Sequence, residues 1–161
     1  MLYLFAVIVV VLDQVIEWMI VANLGVNQVI PLIPGVLDLF YIKNYGAAFS
    51  MLIDQRVLLI FVSIAVMLVI VYVDRRYAVG KMDMKVALGV LFGGAAGNLI
   101  DRVHLGYVVD YIYLPFIHFP VFNLADSAIV VSMAYLLLRF FIRSELKDQK
   151  RGGKEDVDER T

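Results

Sequence analysis

The chain has 161 residues, of which 62% are apolar and 18% are charged, and its formal net charge at pH 7 is -1. A mean hydropathy of +0.85 is far above the range of soluble domains, so the sequence predicts a membrane protein. The balanced charge and the lack of a basic patch argue against nucleic acid as a partner, and the absence of cysteine excludes disulfides and thiolate catalysis.

Four apolar segments are long enough to form spanning helices, which need about 20 mainly apolar residues. In chain order they are residues 2–24, 57–73, 86–100 and 124–141. The first is interrupted by Asp13, Gln14 and Glu17, which are expected to face the inside of the bundle. The third is rich in small residues that allow helices to pack closely. We interpret residues 1–143 as one membrane domain and residues 144–161 as a charged cytoplasmic tail.

The basic residues predict the orientation, because loops on the cytoplasmic side carry an excess of lysine and arginine. Four of the 14 lie between the second and third spans, and seven more lie from Arg139 onward. Both termini are therefore predicted to be cytoplasmic, with residues 25–56 and 101–123 outside. Partial alternation of apolar and polar residues favours a small sheet there. The expected fold class is an all-α membrane protein with four transmembrane helices and a small extracytoplasmic β-rich segment between the first two helices.

Three aspartates fall on the outer side in this topology: Asp101, Asp110 and Asp126. A carboxylate at a membrane boundary is costly unless it is paired or hydrated, so this grouping favours a functional role. Two carboxyl groups that share a proton can activate water and polarise a scissile carbonyl without a cofactor. The pattern alone does not select two of the three, although Arg102 favours a structural ion pair with its neighbour Asp101.

Other kinds of site receive less support from the sequence. A zinc site built from His104, His118 and an aspartate matches no helical two-histidine spacing. No HExxH, GxSxG, Walker or nicotinamide motif is present. A proton-coupled transporter could use the same acids as a relay, but it would need carboxylates throughout the membrane depth, and most of these lie on one side.

Four motifs follow one another along the chain: Asn44-Tyr-Gly-Ala-Ala-Phe-Ser50, Gly93-Gly-Ala-Ala-Gly-Asn-Leu-Ile-Asp-Arg102, Val108-Val-Asp110 and Phe119-Pro-Val-Phe-Asn-Leu-Ala-Asp-Ser127. In this order, and with four spans, they resemble the signal peptidase II family, the bacterial lipoprotein signal peptidases. The resemblance implies an aspartyl peptidase of the bacterial cytoplasmic (inner) membrane that cleaves prolipoproteins immediately before the diacylglyceryl-modified cysteine. It also implies no cofactor, an active site near the outer face, contact with membrane lipid and inhibition by peptide antibiotics such as globomycin. A monomer is expected, because four helices can enclose one groove.

The resemblance also implies roles for individual residues. Asp110 and Asp126 match the catalytic pair, which in the family activates water and stabilises the tetrahedral intermediate. Supporting or substrate-binding positions are matched by Asp13, Asn44, Gly46, Asn98, Asp101, Arg102, Asn123 and Ala125.

The chain departs from the family pattern at Glu17, where a lysine is usual. Asp13 and Glu17 share a helix face, so the two acids repel unless one is protonated or a cation lies nearby. Arg102 is one candidate for that cation. A catalytically impaired variant of the same fold is therefore an alternative interpretation.

Overall fold

The computed structural model describes residues 1–47 and 51–158, with side chains as far as Arg143. The elements follow in the order α1 (Leu2–Asn23), β1 (Val29–Ile33), β2 (Leu37–Asn44), α2 (Arg56–Tyr77), α3 (Met82–His104), β3 (Val108–Leu114), a short 3-10 turn (Pro115–Ile117), β4 (Phe119–Phe122) and α4 (Leu124–Asp158). Helices α1, α2, α3 and the 124–143 part of α4 are each long and apolar enough to cross a membrane. A helix suits this environment because it satisfies its own backbone hydrogen bonds.

Three of the helices extend beyond the predicted spans, and of these α2 ends at Tyr77 rather than at residue 73. Helix α3 ends at His104 rather than at residue 100, so Asp101 and Arg102 belong to its last turns. Helix α4 continues to Asp158 through most of the predicted tail, residues 144–161. The side chains of that tail and its last three residues lie outside the described part of the chain.

Helix α3 lies at the centre of the bundle and packs against α1, α2 and α4. Its glycines make this possible: a Cβ on Gly93 would lie 2.7 Å from the Cβ of Val9 on α1, and a Cβ on Gly94 would lie 2.5 Å from the carbonyl oxygen of Ala125 on α4. The prediction that small residues in the third span serve close packing is confirmed.

The extramembrane sheet differs from the prediction in its composition. It has four antiparallel strands in the order β1-β2-β3-β4, so two strands come from the segment after α1 and two from the segment after α3. The β-rich segment predicted between the first two helices is present as β1 and β2, but the prediction did not include β3 and β4. The pairing of Ile42 with Asp110 joins the two segments. This pairing between distant parts of the chain has no local sequence signal.

The junction between α3 and β3 is held by two features. The guanidinium of Arg56 donates to the carbonyl oxygens of Arg102 and Val103 at 2.7 and 2.9 Å, which caps the end of α3. Gly106 then turns the chain with a φ of 87°, a conformation that a residue with a Cβ rarely adopts. The turn sends β3 back across the end of the bundle and so places Asp110.

Candidate active site

A cavity of about 760 Å³ opens at the sheet end of the bundle, between β2, the β3-β4 hairpin and the start of α4. Much of its wall is apolar, with side chains such as Ile42, Phe122 and Ile129. Six of the residues predicted for the site line it: Asn44, Gly46, Asn98, Arg102, Asp110 and Asp126. The other four predicted residues do not line the cavity: Asp13, Asp101, Asn123 and Ala125.

Asp110 lies on β3 and its side chain is only 1% exposed. Its Oδ2 accepts a hydrogen bond from Nδ2 of Asn44 at 2.8 Å, whereas its Oδ1 is buried without a partner among the described residues. The amide of Asn44 is oriented by the N–H of Gly46, which donates to Asn44 Oδ1 at 2.9 Å. Burial, and secondly the nearby charge of Asp126, raise the pKa of Asp110 to about 8.

Asp126 lies in the first turn of α4 and takes part in the capping of that helix. Its N–H donates to Oδ1 of Asn123 at 2.8 Å, and its Oδ2 lies 3.4 Å from the N–H of Asn123, in the reciprocal pattern of a capping box. Its Oδ1 accepts from Nδ2 of Asn98 at 2.8 Å. The carboxylate therefore sits at the positive end of the helix dipole with defined donors, which favours its ionised form.

The amide groups of Asn98 and Asn123 orient each other behind this pair. Nδ2 of Asn123 donates to Oδ1 of Asn98 at 3.1 Å, which leaves Nδ2 of Asn98 directed at Asp126. Both amides are buried, so their donors and acceptors are committed within the protein. That these two residues support the acids stays a prediction, and both lie within hydrogen-bonding distance of Asp126.

Asp101 does not compete with Asp110 for the cavity, because its carboxyl group turns inward and is 2% exposed. Its Oδ2 accepts the N–H of Val109 at 2.9 Å, and its Oδ1 accepts Nε2 of Gln14 at 3.0 Å. Arg102 points elsewhere and donates to the carbonyl oxygens of Asn98 and Gly46. The expected ion pair between Asp101 and Arg102 does not form among the described side chains, since successive residues on a helix point about 100° apart.

Asp13 bonds the backbone next to Asp126, just as Asp101 bonds the backbone next to Asp110. Its Oδ1 accepts the N–H of Ala125, the residue before Asp126, at 2.9 Å. Asp101 accepts the N–H of Val109, the residue before Asp110. Each inner carboxyl group thus fixes the backbone that carries one outer carboxyl group.

Sequence reasoning assigned no role to Gln14, although its amide connects α1 to α3. One hydrogen bond from Nε2 reaches Oε2 of Glu17 at 2.8 Å and another reaches Asp101. A polar residue inside a spanning segment was the available signal. Arg102, the candidate cation for Glu17, instead donates to backbone carbonyls beside the cavity, so that suggestion is wrong.

The motif that begins at Asn44 is described only in part, because its residues 48–50 lie outside the described range. The two histidines considered for a zinc site are not among the residues that line the cavity. His104 ends α3, and His118 follows the 3-10 turn with a φ of 50°.

Fold and site together define a membrane-embedded protein in which a buried and a half-buried carboxyl group face a largely apolar cavity at one end of a four-helix bundle. A family model described as signal peptidase (SPase) II matches residues 5–142, and the chain belongs to that family. It is therefore a bacterial membrane peptidase of the lipoprotein signal peptidase type, which confirms the resemblance read from the motifs.

Individual relatives agree with this assignment. The chain is 37% identical over 150 residues to a lipoprotein signal peptidase of Bacillus velezensis, across 92% of this chain and 98% of the relative. It is 40% identical over 150 residues to one from Halothermothrix orenii, across 92% of this chain and 100% of the relative. A bacterial membrane enzyme solved at 2.3 Å superposes with a TM-score of 0.84 at 32% identity, covering 88% of this chain and 87% of the other.

Proposed function

We propose that this chain cleaves the signal peptide of a prolipoprotein immediately before the diacylglyceryl-modified cysteine, with Asp110 and Asp126 as the two catalytic acids. The observation that carries the proposal is that these two carboxyl groups line one largely apolar cavity. Asp101, the third candidate, turns away from that cavity and bonds the backbone.

The surroundings of the two acids support different protonation states for them. Asp126 has Asn98 as a close donor and a second N–H, that of Asn123, at 3.4 Å, and it lies at a helix N-terminus. Asp110 accepts from Asn44 alone and keeps one buried oxygen unpartnered within the described part of the chain. We assign the proton to Asp110 and the negative charge to Asp126, in line with the raised pKa of Asp110, about 8.

From this starting state the reaction is balanced without a cofactor. Asp126 accepts a proton from water while the water oxygen attacks the scissile carbonyl carbon, and Asp110 gives its proton to the carbonyl oxygen. The tetrahedral diol then collapses: Asp126 gives its proton to the leaving amine, the C–N bond breaks, and Asp110 recovers a proton from the diol. Both acids return to their original states, so one water is consumed per peptide bond.

The apolar part of the cavity suits a substrate that carries lipid. Side chains such as Val121, Phe122, Ile129 and Val130 line it beside the two acids, and burial of acyl chains against them gains about 0.8 kcal/mol per CH2 group. Val130 is 66% exposed, so this wall also faces the outside of the bundle, where a substrate could enter sideways from the lipid. The cavity therefore supports a diacylglyceryl substrate over an unmodified peptide.

The test is cleavage of a diacylglyceryl-modified precursor by purified protein in nanodiscs. Asp110→Asn and Asp126→Asn should each lower the rate by about a thousandfold, since each removes an acid-base group, while the fold and membrane insertion persist. Asp38→Asn is the matched control, because Asp38 lies on the same sheet but does not line the cavity.

The outcomes separate the alternatives. Retained cleavage in both variants would exclude the two-aspartate mechanism. Single-turnover cleavage that is absent even in the wild type, with precursor binding retained, would favour the catalytically impaired variant that Glu17 suggests. A transporter is disfavoured because Asp13, Glu17, Asp101, Asp110 and Asp126 gather in one connected group near the sheet.

A further inference from the structure

Behind the cavity lies an inner carboxyl cluster, which we define as Asp13, Glu17 and Asp101. These side chains are 0%, 4% and 2% exposed. No lysine or arginine forms an ion pair with any of them, since the ion pair in the described part of the chain joins Arg139 to Asp83. Three negative charges in a dry interior would be very costly, so the cluster must hold at least one proton or a bound cation.

Hydrogen-bond donors are distributed unequally among the three acids. Asp101 receives one on each oxygen, from Val109 N–H and from Gln14. Asp13 receives one, from the N–H of Ala125. Glu17 receives only the other hydrogen bond of the Gln14 amide, on Oε2, and its Oε1 is buried without a partner in the described structure. Donors stabilise the charged form of an acid, so Asp101 is best equipped to be ionised.

One nitrogen, Nε2 of Gln14, donates to Oε2 of Glu17 at 2.8 Å and to Oδ1 of Asp101 at 3.0 Å, so these two carboxyl groups lie side by side. Two neighbouring carboxyl groups can bond each other only when one of them carries a proton. Gln14 cannot supply a further donor, because its amide already bonds both acids. Asp13 and Glu17 each keep one buried oxygen without a partner in the described structure, but Asp13 has the N–H of Ala125 to itself, whereas Glu17 shares its one donor with Asp101. The proton is therefore assigned to Glu17.

We propose that Glu17 is a positioning residue that stays protonated at neutral pH and donates a hydrogen bond to Asp101. This inference rests on the proposed function. A neutral acid thus occupies the position where the family pattern usually has lysine, and it supplies a donor as lysine does, without a charge. The unusual residue is a compensated replacement rather than a defect.

The connection to catalysis runs through the backbone. In the proposed arrangement Glu17 donates to Asp101, Asp101 accepts the N–H of Val109, and Val109 precedes Asp110. The titratable groups that face Glu17 are Asp13 on its own helix, Asp101 on α3, and Asp110 and Tyr111 on β3. All four are acids, so each opposes a charge on Glu17.

Two substitutions of Glu17 distinguish a role as hydrogen-bond donor from a role as a side chain that only fills space. Glu17→Gln keeps the shape, the neutrality and a donor, so its kcat/KM should stay within about threefold of the wild type. Glu17→Leu keeps apolar volume but removes the donor, and we expect kcat to fall about tenfold, the cost of one lost hydrogen bond, with KM nearly unchanged. If Glu17→Gln is as impaired as Glu17→Leu, the proposal is wrong.

Infrared spectroscopy tests the proton without reference to cleavage. The spectrum of the wild type minus that of Glu17→Gln at pH 7 should contain the C=O stretching band of a protonated carboxylic acid. Absence of that band would overturn the proposal even if the aspartate variants confirm the peptidase mechanism. A melting temperature that depends on Na⁺ or K⁺ in the wild type but not in Glu17→Gln would show that a cation, not a proton, neutralises the cluster.

Discussion

Asn44 controls the charge of Asp110 through a single hydrogen bond. Its Nδ2 donates to Asp110 Oδ2 at 2.8 Å and stabilises the ionised form. Asn44→Ala removes that donor, so the pKa of Asp110 should rise above its present value of about 8. Because the proposed mechanism needs Asp110 protonated, activity should persist to higher pH, with the alkaline limb moved upward by about one pH unit.

The measurement is kcat/KM for precursor cleavage between pH 5 and pH 10. Asn23→Ala is the matched control, because Asn23 is exposed at the end of α1 and donates only to the carbonyl oxygen of Met19. An alkaline limb that moves downward in Asn44→Ala, or that does not move, would show that Asp110 is not the group titrating there.

The buried Asp110 should also cost stability. Its pKa in the fold, about 8, exceeds the ordinary value of 3.8, so the folded protein binds more protons than the unfolded chain between these values. Stability therefore falls as the pH rises through this window. Asp110→Asn cannot ionise and should melt a few degrees above the wild type at pH 8, with the difference vanishing toward pH 4. Melting in detergent measured across this range tests the sign, and a difference that does not change with pH would contradict it.

At the level of elements, the contact between α1 and α3 depends on the absence of a side chain at Gly93. A Cβ there would lie 2.7 Å from the Cβ of Val9 and 2.8 Å from the carbonyl oxygen of Ala6. Gly93→Ala should therefore force the helices apart and lower the free energy of unfolding by about 1–3 kcal/mol, although alanine favours the helix intrinsically.

Thermal unfolding in detergent measures this effect. Gly25→Ala is the matched control, since a Cβ on Gly25 would meet only Gln28 Oε1 at 3.5 Å, an ordinary contact. Equal melting temperatures for the two variants would mean that the bundle relaxes around the added methyl group without cost.

The elements also differ in how well the sequence predicts them. The spanning helices follow from apolar length alone, because the bilayer imposes a minimum that few other segments reach. Half of the sheet was missed, since β3 joins it by pairing with β2, which lies before two intervening helices. Such a pairing depends on the bundle that brings the ends of α1 and α3 together, and no local pattern encodes it.

For the molecule as a whole, the resemblance named the cavity acids and also Asp13 and Asp101 as supporting positions, but not the contacts by which these two give support. Asp110 and Asp126 were selected by resemblance, whereas their support by Asp101 and Asp13 depends on which backbone N–H each inner oxygen meets. Arg102 was expected to pair with an acid and instead bonds two carbonyl oxygens, because helix geometry turns it away from its neighbour. These hydrogen bonds join residues that are brought together only in the folded chain, so local sequence patterns do not predict them.

The side of the membrane on which the site lies is a prediction from the distribution of basic residues. The sheet and the cavity occupy one end of the bundle, whereas the short α2–α3 connection, which ends with Lys81, lies at the other end. Since lysine and arginine concentrate at that second end, we expect it to be cytoplasmic and the sheet to lie outside. The catalytic acids would then meet their substrate at the outer face.

Labelling of single cysteines tests this orientation directly, because the chain has none of its own. Leu32 on β1 is 52% exposed, and Val79 between α2 and α3 is 71% exposed, so both positions should accept a reagent. In spheroplasts, a membrane-impermeant maleimide should label Leu32→Cys at once and Val79→Cys only after permeabilisation. The reverse pattern would place the cavity on the cytoplasmic side, where the acids could not process a precursor at the outer surface.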